Sequence, residues 1–115
     1  MKYTGSCHCQ KVSFEVEMDI ENVISCNCSI CHKKGHLLAF APENNFKLLA
    51  GEEALDIYTF NKKVIHHMFC KTCGIGPFGR GTMPDGTKMR AINVRCLDGV
   101  DLSQIPVQHV DGKNF

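Results

Sequence analysis

Seven of the eight cysteines in this 115-residue chain fall into three tight groups, and no fold can ignore where they must meet. Cys7-His8-Cys9 sets two thiols at i and i+2, which share one side of an extended backbone and can converge on a single ion. Cys26-Asn27-Cys28-Ser29-Ile30-Cys31 adds a third thiol three residues on, so the chain must curl after an extended start. Cys70-Lys71-Thr72-Cys73-Gly74 has the form of a zinc knuckle, in which a tight turn aims both sulfurs inward and the glycine lets the backbone bend around them. Disulfides are the competing explanation, but a bridge between i and i+2 is strained. Thiolate-rich sites select soft or borderline metals, and zinc is the redox-inert one that takes four tetrahedral ligands. Spacing leaves two partitions open. Cys28, Cys31, Cys70 and Cys73 form a zinc ribbon, with Cys7, Cys9 and Cys26 left over. Alternatively Cys7, Cys9, Cys70 and Cys73 close one site, and Cys26, Cys28 and Cys31 hold a second ion with an open fourth position.

The length suits one domain over residues 1–115, with a modest core since tryptophan is absent. No apolar run approaches a membrane span, and Met1 to Ser6 lead into Cys7 without an apolar signal region, so the expectation is a soluble, cytoplasmic protein. A reducing compartment also favours metal ligation over disulfides. The formal charge of +1 turns mildly negative once seven thiolates and two zinc ions are counted. That argues against nucleic acid held by bulk electrostatics, and Lys33-Lys34 and Lys62-Lys63 are the only short basic pairs.

Short alternating segments between turn residues predict a mainly β protein. Lys11 to Glu17 alternates Val12, Phe14 and Val16 against polar residues; His36 to Ala41 and Phe46 to Leu49 flank a turn at Pro42-Glu43-Asn44-Asn45. Leu55 to Phe60 and Val64 to Phe69 form a hairpin about Asn61-Lys62-Lys63; Gly74 to Gly81 is an irregular strand; Lys88 to Leu97 places Ile92, Val94 and Cys96 on one face. Asp101 caps a helical turn that Pro106 stops.

Gly5-Ser6-Cys7-His8-Cys9, the Cys26–Cys31 cluster, Phe69-Cys70-Lys71-Thr72-Cys73-Gly74, Asn93-Val94-Arg95-Cys96-Leu97-Asp98 and Asp111-Gly112-Lys113-Asn114 together resemble the glutathione-dependent formaldehyde-activating enzyme family. The stretches Cys26 to Lys34 and Phe46 to Phe60 look most like its short branch related to centromere protein V. The resemblance implies an Mss4-like fold of coiled antiparallel β-sheets stapled by zinc. It implies a structural zinc on Cys7, Cys9, Cys70 and Cys73 and a catalytic zinc on Cys26, Cys28 and Cys31, two ions per chain. Gln10 stands where the family often has glycine, Lys33 and Lys34 where arginine is common, and Phe115 where tryptophan is usual.

A zinc held by three thiolates is a weaker Lewis acid than one held by neutral imidazoles, which favours activating a thiol over activating water. Such a site suits addition of glutathione to a small aldehyde such as formaldehyde, giving S-hydroxymethylglutathione, and the reverse carbon–sulfur lysis. Glutathione's carboxylates need cations, and the candidates are Lys33, Lys34 and Arg95, with Arg80 and Arg90 behind them. His32 adjoins a ligand and has either a proton-transfer role or none; His66 and His67 point to opposite faces of a strand; His8 points away from its neighbours' metal; His109 has no supporting pattern. Cys96 reads as a free buried thiol. The alternative function is a non-enzymatic zinc module whose β surface binds another protein.

Overall fold

A computed structural model describes residues 1–59 and 65–111. Among the described residues ten strands form two sheets. The smaller has β1 (Lys2–Ser6), β2 (Ser13–Glu17) and β5 (Phe46–Ala50) in the order β1-β2-β5, both pairings antiparallel. The larger contains β3 (Val23–Cys26), β4 (Leu38–Pro42), β6 (Leu55–Tyr58), β7 (His66–Cys70), β8 (Phe78–Thr82), β9 (Lys88–Asn93) and β10 (Val107–Val110), ordered β10-β3-β4-β9-β8-β7-β6. A short helix, α1 (Ser29–Lys34), lies between β3 and β4.

Alternation dictates the core. Val12, Phe14 and Val16 are all fully buried, while the residues between them keep some exposure. From the larger sheet Ala39, Ala41, Met68, Phe78 and Ile92 join Phe14 and Val16 in one cluster. Phe14 and Phe46 of the smaller sheet and Phe78 of the larger make an aromatic clasp, with centroid separations of 5.4 Å, 4.6 Å and 6.0 Å. Such contacts add to the burial of apolar area that joins the sheets. A second buried cluster consists of Cys7, Val12, Ala54 and Cys70. Half of its members are cysteines, so this end of the molecule has little aliphatic core of its own.

Several sequence expectations are corrected. The first alternating strand begins at Ser13, two residues late, because the turn after Cys7 takes up Lys11 and Val12: the Cys7 N–H donates to the Val12 carbonyl and the Val12 N–H to the Cys7 sulfur. The strand from Lys88 ends at Asn93, where the Asn93 side chain accepts from the Arg95 N–H and caps a 3₁₀ turn over Val94–Cys96. Cys96 is therefore not in line with Ile92 and Val94; it is half-buried and its sulfur faces the Asn93 amide at 3.5 Å. The sheets are not wholly antiparallel, since β10 runs parallel to β3 with Val107 opposite Val23 and Val110 opposite Cys26. The 55–70 hairpin is present, with Leu55 opposite Cys70 and Tyr58 opposite His67. Its turn at Asn61-Lys62-Lys63, and Gly112 to Phe115, lie outside the described residues. Asp101 caps the 3₁₀ turn Leu102–Gln104 as expected.

Among the described residues no helix is long and apolar enough to cross a membrane.

Candidate metal centres

The cysteine sulfurs gather in two sets. Those of Cys7, Cys9, Cys70 and Cys73 all lie within 4.8 Å of one another, and so do those of Cys26, Cys28 and Cys31. Cys28 and Cys31 thus join Cys26, not the knuckle at Cys70, and the ribbon partition is not the one the fold adopts.

The four-sulfur set sits between two tight turns. The Gln10 N–H donates to the Cys7 carbonyl and the Val12 N–H to the Cys7 sulfur at 3.5 Å, which folds Cys9 back over Cys7. On the other side the Gly74 N–H donates to the Cys70 carbonyl at 2.8 Å, turning Cys73 inward. Sulfur separations are 3.6 Å for Cys7 and Cys9 and 3.7 Å for Cys9 and Cys70. Four thiolates about 2.3 Å from a central zinc stand roughly 3.8 Å apart, so the donor set fits that ion, whereas a disulfide needs about 2.05 Å. Every cysteine is a free thiol. Without a cation the set divides its protons unevenly. N–H donors from Cys9 and then Ile75 lower Cys73 to about 6, while Cys9, despite the Lys11 N–H, is raised to about 11 by burial and by Cys7 and Cys70.

Gln10 carries a second message. Its φ is +67°, the left-handed conformation that glycine takes freely and other residues avoid at a cost of about 1–2 kcal/mol. The turn between Cys7 and Val12 demands that conformation, which explains why glycine suits this position. We expect Gln10→Gly to stabilise the protein by about 0.5–1 kcal/mol after its greater unfolded-state entropy is counted, read as a raised thermal midpoint at unchanged metal content. A lowered midpoint would mean that the Gln10 side chain contributes more than its backbone costs.

The three-sulfur set is built where β3 ends. Cys26 is its last residue, Cys28 caps α1 with its sulfur accepting the Cys31 N–H at 3.4 Å, and Cys31 lies in the first turn. Gly35, at φ +70°, ends the helix by donating to the Cys31 carbonyl. The helix buries no residue and owes its existence to these two caps, not to an apolar face. Burial first, then the Cys28 and Cys26 sulfurs, push Cys31 up to about 12. Burial acts the same way on Cys28, but N–H and thiol donors led by Cys31 outweigh it and its pKa is lowered. Three thiols so placed cannot all ionise alone; a divalent cation would release their protons. Among the described residues the cluster contains no fourth ligand.

A cavity of about 350 Å³ opens beside it, lined by Cys26, Asn27, Cys31, His32, His109, Val110 and Asp111 among others. Its far wall is β10, held by the Asn27 N–H to the Val110 carbonyl at 3.1 Å and the Asn27 amide to Asp111 at 2.9 Å. Sequence reasoning found no pattern at His109, because this wall is made by strand pairing across most of the chain. Lys33 and Lys34 close α1 but do not line the cavity. Burial lowers the Lys34 pKa and the Cys31 charge opposes that shift, which places the ammonium within electrostatic range of the cluster. Arg95 is exposed and also outside the cavity wall, on the turn anchored by the Val94 N–H to the Leu37 carbonyl. Arg80 and Arg90 line a different groove. His36 was not singled out from the sequence; burial, then Lys34 and His67, lower its pKa to about 4, so it is neutral beside that lysine. Cys96, outside both sets, is raised to about 11 by burial and then by Cys7 and Cys73.

Residues 2–110 match the profile of the family described as glutathione-dependent formaldehyde-activating enzyme. The chain belongs to this family. Its fold is also similar to a crystal structure of a Rhodobacter sphaeroides protein, with a TM-score of 0.79 and 31% sequence identity over 91% of this chain and 99% of that one. For a formaldehyde-activating family member, the two cysteine sets are sites able to hold a metal ion, and the second has a cavity beside it.

Proposed function

We propose that the protein is a zinc-dependent carbon–sulfur lyase of the short, centromere protein V-related branch, forming and breaking S-hydroxymethylglutathione or a similar thiol adduct of a small aldehyde. The observation that carries this reading is a three-thiol cluster, rather than a four-thiol one, two of whose members, Cys26 and Cys31, line a cavity large enough for a small ligand. In this reading the fold is Mss4-like, one domain stapled by a structural zinc on Cys7, Cys9, Cys70 and Cys73, and it works in the cytoplasm. Zinc on Cys26, Cys28 and Cys31 would supply a Lewis-acid position that lowers the pKa of an incoming thiol.

The chain's own residues do the rest. The Cys31 N–H holds the Cys28 sulfur, and β10 confines the adduct against the cluster. Of the three cation candidates, none of which lines the cavity, Lys34 is the one that feels the Cys31 charge, and it is the first choice for the thiol's carboxylates, ahead of Lys33 and Arg95. As the new carbon–sulfur bond forms, the aldehyde oxygen takes a proton, and His32, His109 and Asp111 lie in the same cavity to carry it.

Cobalt substitution tests this. Glutathione should perturb the sulfur-to-cobalt charge-transfer bands of one of the two sites, and S-methylglutathione should not. Formation of S-hydroxymethylglutathione should exceed the uncatalysed rate, and Cys28→Ser should bring it back to background. An unchanged spectrum at millimolar glutathione, with a rate equal to background, would sink the enzyme reading and leave the zinc module that binds another protein.

A further inference from the structure

Register places like charges together at the end of the larger sheet away from the three-thiol cluster. Phe78 stands opposite Ile92 and Arg80 opposite Arg90, while His66 on β7 is opposite Arg80. Phe78 and Ile92 are buried, so Arg80 and Arg90, two residues along on the same face, continue the core face beyond its apolar end. Guanidinium groups do not lose their charge in proteins, and like charges directly across a strand pair repel. One carboxylate answers them at salt-bridge distance among the described residues: Glu43, 3.9 Å from Arg90. The Arg80 Nε is shut off from solvent and has no hydrogen-bond partner among the described residues. A buried donor left this way is destabilising, so the arrangement favours an acceptor brought by a ligand. Arg90 lies 5.8 Å over the Phe46 ring, its pKa lowered by burial first and by Arg80, with Glu43 opposing.

These side chains end a groove of about 640 Å³ between the two sheets, whose apolar floor includes Phe46, Leu48, Met68 and Phe78. A smaller recess of about 240 Å³ shares Glu43, Arg80 and Arg90 with it and adds His66 and Lys88. Glu52 and Asp56 also line the groove, and their charges would repel an extended polyanion while leaving the two guanidiniums for a single anionic group. The groove shares no lining residue with the cavity beside Cys26.

We propose that this groove binds a small organic oxyanion with an apolar body, a carboxylate or a phosphate monoester. Its anionic end accepts from Arg80 and Arg90, and its body lies on Phe46, Leu48 and Met68. The site is separate from the lyase reading and stands or falls without it.

Arginine Nε–Hε resonances of the zinc-loaded protein read the site directly. Phenyl phosphate and phenylacetate are titrated as the two oxyanion sources, with phenol and inorganic phosphate as half-ligands. Saturable movement of the Arg80 and Arg90 signals by either aromatic anion supports the site, and the tighter of the two names its source. Phenol and inorganic phosphate should bind about ten-fold more weakly, since each lacks one half of the chemistry. Arg80→Gln should weaken the aromatic anion by about ten-fold or more at unchanged zinc content, and Arg80→Lys, which keeps the charge but loses the Nε donor, should also weaken it. Arg80→Gln removes one of two facing charges and Arg80→Lys removes the unpartnered buried Nε donor, so both variants should fold with thermal stability equal or raised. Arg80 signals that stay still at tens of millimolar phenyl phosphate and phenylacetate would overturn the proposal. So would equal shifts with phenol, or undiminished binding by Arg80→Gln.

Discussion

Cys70→Ser will fail to give a folded protein under conditions in which Cys28→Ser folds and keeps one metal ion. Cys70 is fully buried and Cys7 is 2% exposed, and with Val12 and Ala54 they form the whole buried cluster at that end. A structural zinc contributes about 10–16 kcal/mol of apparent binding free energy, as large as the total stability of about 5–15 kcal/mol of an ordinary domain. Losing one ligand there removes the staple and leaves a polar hydroxyl among sulfurs and apolar atoms. Cys28, by contrast, is half-buried at the start of a helix that buries nothing, so its loss frays α1 and leaves the aromatic clasp intact. Metal analysis should give two ions for the unaltered chain and one for Cys28→Ser, with circular dichroism of a folded β protein in both. Equal destabilisation by the two substitutions would abolish the distinction between a closed framework site and an open one.

Gly51→Ala should cost about 4 kcal/mol or more, through two effects at once. The residue has φ +94°, where a side chain is strained, and an added Cβ would overlap the Lys11 carbonyl oxygen and come within 2.7 Å of the Val12 Cα. Those are backbone atoms of the segment that closes the Cys7–Cys9 turn, so relief requires shifting the buried Val12 and with it a metal ligand loop. Gly86→Ala is the matched control: φ is +90° there, but nothing lies within 4 Å of the added atom. It should lose only the conformational cost of about 1–2 kcal/mol. Thermal midpoints that fall equally in the two variants would show that the close approach at Gly51 relaxes freely.

The strands that could be read from sequence are those with one wet and one buried face. Val12, Phe14 and Val16 announce themselves because every second residue stays in contact with water. Nothing comparable marks β10, three of whose four residues are exposed. It is a strand because β3 offers an open edge, a tertiary reason that local pattern does not carry. The helix α1 was similarly hidden, since its caps are a cysteine sulfur and a glycine rather than an apolar stripe. The thiol groups were plain from spacing, yet which of them share a site was not, because that depends on how β1 and β7 are brought together through the core. Arg80 and Arg90 looked like two more cations for one substrate; register alone sends them to the other end of the sheet.

The pairing of β10 with β3 also has an order in time. A chain leaving the ribosome amino end first holds all four members of the closed thiol set once Cys73 has emerged. Residues 109–111, which line the cavity beside Cys26, follow much later. In the interval the outer edge of β3 is unpaired and Cys26, Cys28 and Cys31 face solvent on that side. Until β10 arrives the second thiol set lacks that wall, so oxidants and competing metals reach Cys26, Cys28 and Cys31 from a side that the finished fold covers.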